Sequence, residues 1–210
     1  MSEGAGEPPR RPGPIGGDMA AIVFGLARRF RLPVLTERHS SRAVLGLFAF
    51  VNGLIAIAAM SLVALVTGEP FVFPSLGPTA FLLFYTPMLP ASSPRNTLAG
   101  HAIGAAAGYL ALAAFGLLHD PPALASSVTA ARAGAAGLSL GLTSGAMVWA
   151  GVPHPPAGAT TLIVSLGILR EPEQLAVLMV AVGLLVLQAF AINRLAGIAY
   201  PRWSPPPPAA

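Results

Sequence analysis

The chain has 210 residues, 54% of them apolar and 10% charged, a formal charge of +4 whose positive side is arginine alone, and a mean hydropathy of +0.70. Soluble globular domains carry about a quarter charged residues, so this composition excludes that class and points to a membrane protein of one domain. The absence of cysteine excludes a disulfide framework, thiolate chemistry and Cys-based metal sites.

Residues 1–18 are Gly/Pro-rich and carry Glu3 and Glu7. They lack the basic stretch and apolar core of a cleavable signal and are expected to be disordered. Met19 to Leu32 is apolar and then basic. At 14 residues it is too short to span and predicts an interfacial helix ended by Pro33. Arg10, Arg11, Arg28, Arg29, Arg31, Arg38 and Arg42 all precede the first long apolar run. Such a cluster is also met in nucleic-acid binders. Beside a first span, however, it holds the N-terminus in the cytoplasm, so residues 1–42 are expected to form a cytoplasmic tail without a nucleic-acid partner.

Ala43 to Thr67 is a 25-residue uncharged run, long enough to cross a bilayer. Phe71 to Pro90 is apolar but broken by Pro74, Gly77, Pro78 and Pro87. It predicts a short helix over 78–89, about 18 Å long at 1.5 Å per residue, which falls short of a ~30 Å hydrocarbon core. After Ser92-Ser93-Pro94-Arg95-Asn96, with Asn96 as predicted N-cap, Thr97 to Leu118 is a second span, and Ser126 to Ala150 is a third. Each carries a glycine stripe at intervals of four: Gly100, Gly104 and Gly108 in one, Gly137, Gly141 and Gly145 in the other. Stripes of this kind let helices approach closely, within the chain or between copies in a homo-oligomer. Pro153 to Thr160, reading Pro-His-Pro-Pro-Ala-Gly-Ala-Thr, then interrupts the apolar pattern. A short piece over 159–169 and a fourth span over Leu175 to Ile198 follow, and residues 200–210 form a Pro-rich tail expected to be disordered.

A shift of 81 positions lays Pro74, Gly77 and Thr79 on Pro155, Gly158 and Thr160, and the long spans on each other. The predicted fold is therefore an all-α integral membrane protein of two tandem halves, 43–118 and 124–199, each a long span, a short broken helix and a long span. If the short pieces re-enter, there are four full spans and parallel halves. If they cross, there are six spans and inverted halves. Either way the C-terminus, with Arg194 and Arg202, returns to the cytoplasmic side.

Broken helices in matching positions of two halves point to a transport site at their interface. A helix start presents unpaired N–H groups and the positive end of its dipole, so two starts together suit a small anion. Pro74, Gly77 and Thr79 with Pro155, Pro156, Gly158 and Thr160 are the candidate binding residues, and Ser75 adds a hydroxyl. Alternatively the same residues only cap two half helices. His154 either holds an anion or bonds the carbonyls freed beside Pro153 and Pro155. His101 shares a face with Gly104 and Gly108 and either lines a pathway or bonds across helices. Arg95 is a fixed charge at an anion entrance or a juxtamembrane anchor, and Arg132 is expected to snorkel to the membrane surface. Asn52, Gln188 and Asn193 are expected to bond between helices. No cluster at ligand spacing implies a metal, no cofactor is expected, and no nucleophile–base pairing implies an enzyme.

His154-Pro155-Pro156-Ala157-Gly158-Ala159-Thr160 resembles the signature of the HPP family of integral membrane proteins. Pro74-Ser75-Leu76-Gly77-Pro78-Thr79-Ala80 and Pro94-Arg95-Asn96 with Gly100-His101 resemble its other recurrent blocks, over residues 40–199 in all. The first block departs from the family's Gly-Ala-Thr by carrying Pro78, which removes one N–H from the helix start. The resemblance implies four spans and, from some plant chloroplast and cyanobacterial members, nitrite transport. Some members carry appended CBS domains; with about a dozen residues after its last span, this chain is expected to lack one. The expected function is a multi-pass inner-membrane transporter or channel for a small anion. The alternative is a non-transporting scaffold or partner-binding module, in which the glycine stripes serve assembly.

Overall fold

The computed structural model describes residues 31–38 and 40–205, and every regular element among them is helical. In chain order these are α1 (Leu32–Arg38), α2 (Ser41–Thr67), α3 (Leu76–Tyr85), a one-turn 3₁₀ helix (Pro90–Ser92), α4 (Pro94–Ala114), α5 (Ala123–Ser126), α6 (Ala130–Trp149), α7 (Ala157–Ser165) and α8 (Pro172–Leu195). The expectations for residues 1–30 and 206–210, including most of the interfacial helix, lie outside the described residues.

Three helices, α2, α4 and α8, are long and apolar enough to cross a membrane, at 27, 21 and 24 residues. The 20-residue α6 is not among them, since Arg132, Ser139, Thr143 and Ser144 dilute its hydropathy. The long helices divide by exposure. Only 17% of the apolar window of α2 is buried against 50% of that of α4, so lipid solvates α2 and the protein interior solvates α4. The core joins Ala56 and Met60 of α2, Leu83 and Phe84 of α3, Leu112 of α4, Val164 of α7 and Leu178 and Leu185 of α8.

Several element starts differ from the sequence reading, each for a local reason. Pro33 stands inside the first turn of α1, where its missing N–H is not needed, while the helix it was expected to end, Met19 to Leu32, lies almost wholly outside the described residues. Ser93, not Asn96, is the N-cap of α4. Its hydroxyl accepts the Asn96 N–H at 3.3 Å, Pro94 takes the first helical position, and Asn96 donates from Nδ2 to the Pro90 carbonyl at 2.9 Å. The predicted third span does not start at Ser126. Ser127 is left-handed (φ 67°), and the helix resumes at Ala130 with the Thr129 hydroxyl accepting the Arg132 N–H at 3.2 Å.

Contacts between elements define the two ends of the bundle. At one end the Leu32 N–H reaches the Ala196 carbonyl, the Arg95 N–H reaches Trp203, and the buried Tyr200 hydroxyl donates to Ser92 at 2.6 Å. Burial pushes the Tyr200 phenol above its ordinary pKa, which keeps it a donor. At the other end Ala123 N–H donates to Leu166, Arg132 to Pro121, and Arg170 to Asp120.

The two glycine stripes have different fates. An added Cβ at Gly100 would stand 2.7 Å from His154 Cβ, at Gly104 2.7 Å from the Ala157 carbonyl oxygen, and at Gly108 2.7 Å from Val164 Cβ. This stripe is occupied inside the chain, with α7 resting on the backbone of α4. Gly137 and Gly141 have nothing within 4 Å of such a Cβ, and both are exposed on α6.

Candidate functional site

The short helices α3 and α7 begin 81 positions apart, at Leu76 and Ala157, each two residues ahead of the start expected from sequence. Their preceding residues share one geometry: Ser75 (φ −70°, ψ −20°) and Pro156 (φ −59°, ψ −19°) are both right-handed helical. Proline two residues before each start supplies the fixed φ that begins the turn. Thr79 and Thr160, equivalent by the repeat, then point into the same buried space.

His101 of α4 joins them. Its Nδ1 lies 2.7 Å from Thr160 Oγ1 and its Nε2 lies 2.9 Å from Thr79 Oγ1. The second ring, His154, sits with its Nε2 3.2 Å from His101 Nε2 and 3.3 Å from Thr79 Oγ1, and its Nδ1 2.7 Å from the Ala91 carbonyl oxygen. All four side chains have 0% exposure. A carbonyl only accepts, so Nδ1 of His154 carries its proton and Nε2 accepts. One arrangement then satisfies each group. Thr160 donates to His101 Nδ1, His101 Nε2–H donates to Thr79, and the Thr79 hydroxyl donates to the Ser75 carbonyl at 2.8 Å or to His154. In this arrangement both rings are neutral, and when Thr79 donates to His154 the chain of donors runs in one direction, from Thr160 to Ala91.

His101 thus does both of the things set against each other from sequence: it bonds across helices, and it sits at the centre of the polar interior. Likewise His154 bonds a loop carbonyl, that of Ala91, though not those beside Pro153 and Pro155. The packing of Gly100 on His154 Cβ explains why the HPP loop and the Gly100-His101 pair belong together.

Other candidates fall outside the junction. Pro74, Gly77 and Pro155 are exposed, Gly158 is half-buried, and Pro156 is buried. Gly77 and Gly158 do not mark close backbone approaches: nothing lies within 4 Å of a Cβ at Gly77, and only Leu140 Cδ1, at 3.4 Å, at Gly158. Pro155, Pro156 and Ala159 line an open apolar groove of about 410 Å³ with Pro78, Phe81 and Leu82. The N–H groups at the start of α7 are already donated, from Ala157, Gly158 and Ala159 to the carbonyls of His154, Pro155 and Pro156 at 3.0–3.1 Å. Ser75 Oγ is buried without a partner. Arg95 reaches the end of α6, with guanidinium nitrogens 3.4 and 3.5 Å from the Ala150 and Gly151 carbonyls.

Sequence reasoning missed the continuation of the polar seam along α6 and α7. Thr143 and Thr161 hydroxyls meet at 2.7 Å, and Ser139 and Ser165 are fully buried beyond them. A period of three to four in the polar residues of α6 (Arg132, Ser139, Thr143) is the signal that would have found it. Asn193 bonds between elements as expected, its Nδ2 donating to Leu83 of α3 at 2.9 Å. Asn52 instead bonds within its own helix, to the Phe48 carbonyl at 2.7 Å.

Residues 38–201 match the family described as HPP, transmembrane region. The chain belongs to that family. No curated protein and no solved structure matches it. The histidine and first prolines of the HPP signature are therefore placed here on a physical footing. His154 reaches the junction and Pro156 fixes the start of α7, while Pro155 faces outward. As a member with apolar helices of spanning length, the protein lies in a membrane and its outer helices contact lipid.

Proposed function

We propose that this HPP protein transports a small anion, with nitrite as the substrate that the family resemblance suggests. The observation that carries the reading is the convergence of two half-helix starts on a buried junction of hydroxyls and imidazoles that contains no carboxylate. The hydroxyl and imidazole N–H groups can donate to an anion, and no carboxylate stands among them to repel it. Because the backbone N–H groups at the start of α7 are taken, the anion's partners in this reading are Thr79, Thr160, His101 and His154. Their mutual bonds are exchanged for bonds to the ion when the junction opens.

The reading includes six crossings with inverted halves. Support comes from the ends of the bundle: α2 finishes at the end opposite the start of α4, and α6 at the end opposite the start of α8, so α3 and α7 each link one end to the other. In this reading both termini lie in the cytoplasm, at an inner membrane, because Arg42, Arg194 and Arg202 belong to chain ends that meet through the Leu32 N–H and the Ala196 carbonyl. A partner-binding role keeps one observation in its favour, the open face at Gly137 and Gly141.

Proteoliposomes containing the purified protein are expected to show saturable flux of at least one of nitrite, nitrate, formate and chloride. Absence of saturable flux for all four would sink the transport reading. Association of copies that Gly141→Leu abolishes would then favour assembly.

A further inference from the structure

Arg132 is the one guanidinium sealed within the described part of the bundle. Its exposure is 2%, so it does not snorkel to the membrane surface as a span-end arginine ordinarily does. Arginine cannot shed its charge in a protein, and a buried charge requires compensation. Nη2 donates to the Pro121 carbonyl at 2.8 Å. Nη1, equally out of contact with solvent, has no partner.

No acidic group supplies the compensation. The only ion pair among the described residues is Arg170–Glu171 at the exposed rim. The end of α7 lies against Arg132, since Nη1 is 3.0 Å from where a Cβ on Gly167 would stand. Three of its last carbonyls already accept backbone N–H groups. Val164 accepts from Gly167 N–H, Ile163 from Ile168, and Leu166 from Ala123, at 2.8–3.0 Å. Gly167 (φ +77°) allows this closed turn and leaves the space beside Nη1 without a side chain. Two residues earlier on α7, Ser165 Oγ is also fully buried and unpartnered. Arg170 adds to the positive end by donating to the Asp120 carbonyl, next to the Pro121 carbonyl that Arg132 uses.

We propose that Arg132 holds a small monovalent inorganic anion, of halide or nitrite size, as its counter-ion at the end of the seam opposite His154. Nη1 is the principal donor. The ion neutralises a charge that the protein leaves uncompensated, and the 2% exposure bars a lipid headgroup from that role. This inference stands on the arginine alone and does not require that the protein transport anything.

The test uses purified full-length protein in nanodiscs in a gluconate background, with chloride as the probe. Thermal unfolding and chloride-35 line broadening are both followed against chloride concentration. A saturable rise in Tm with matching line broadening is expected, displaced by nitrite, with half-saturation weakened at least tenfold in Arg132→Gln. Arg132→Lys keeps the positive charge but removes Nη1 and is expected to weaken chloride in the same direction, which keeps the test decisive where Arg132→Gln fails to fold. No chloride dependence in the wild type, or the same half-saturation in the wild type and a folded Arg132→Gln or Arg132→Lys, overturns the proposal.

Discussion

Replacing Gly104 by leucine is expected to remove most of the folded protein from the membrane, whereas the same change at Gly141 leaves its amount almost unaltered. The two glycines occupy equivalent-looking stripes, yet only one stripe is filled. A Cβ at Gly104 meets the Ala157 carbonyl oxygen at 2.7 Å and Thr161 Oγ1 at 2.8 Å, so relief requires α7 to move off α4 as a body. Overpacking costs about 1–3 kcal/mol where side chains can adjust, and backbone leaves less freedom than that. Displacing α7 also separates Thr160 from His101, so activity is expected to fall further than abundance. At Gly141 nothing lies within 4 Å, and an exposed substitution of this kind changes stability by about 0.5 kcal/mol or less. Size-exclusion profiles of fluorescent fusions of both variants measure the difference. Equal losses would mean that the α4–α7 contact is not what the first stripe is for.

The second large effect is expected at His101. His101→Ala removes the bridge between Thr79 and Thr160 and leaves those hydroxyls and His154 Nε2 without their shared partner. Each buried polar group deprived of a partner costs about 1–3 kcal/mol, and a bilayer supplies no water to soften the loss. His154→Ala is expected to be milder. Thr79 keeps the Ser75 carbonyl and His101, and the released Ala91 carbonyl belongs to a half-buried loop residue. Thermal unfolding in detergent is expected to rank wild type above His154→Ala above His101→Ala. The reverse order would show that the bond to Ala91, rather than the bridge between the half helices, holds the junction together.

Much of the architecture is legible in the residues because bilayer physics is coarse. Ala43–Thr67 became Ser41–Thr67, while the two short helices start at Leu76 and Ala157, two residues ahead of the expected 78 and 159. What escaped depends on which of several adequate residues wins locally. Ser93 and Asn96 are both good N-caps, and Pro94 decides between them by taking the first helical position. Arg132 looked like a snorkelling side chain because a sequence cannot show that loop 121–122 and Gly167 close over it. The close backbone approaches lie not at the motif glycines Gly77 and Gly158 but on α4, against α7. Of the N–H groups expected to face an anion, those at the start of α7 are consumed by the turn that Pro155 and Pro156 set up. The threonines and histidines gained importance for that reason, and Thr143 and Thr161 entered the seam.

Passage of a small anion through the Thr79–His101–Thr160 junction can be followed with a single introduced thiol, because the chain has no cysteine of its own. Thr160→Cys, fully buried in the closed state, would be exposed in native membranes to a small hydrophilic thiol reagent, with and without saturating nitrite. Modification that proceeds from the aqueous phase and slows severalfold when nitrite is present is the predicted result. A cysteine that stays unmodified, or is modified at the same rate with and without nitrite, nitrate, formate and chloride, would contradict the account.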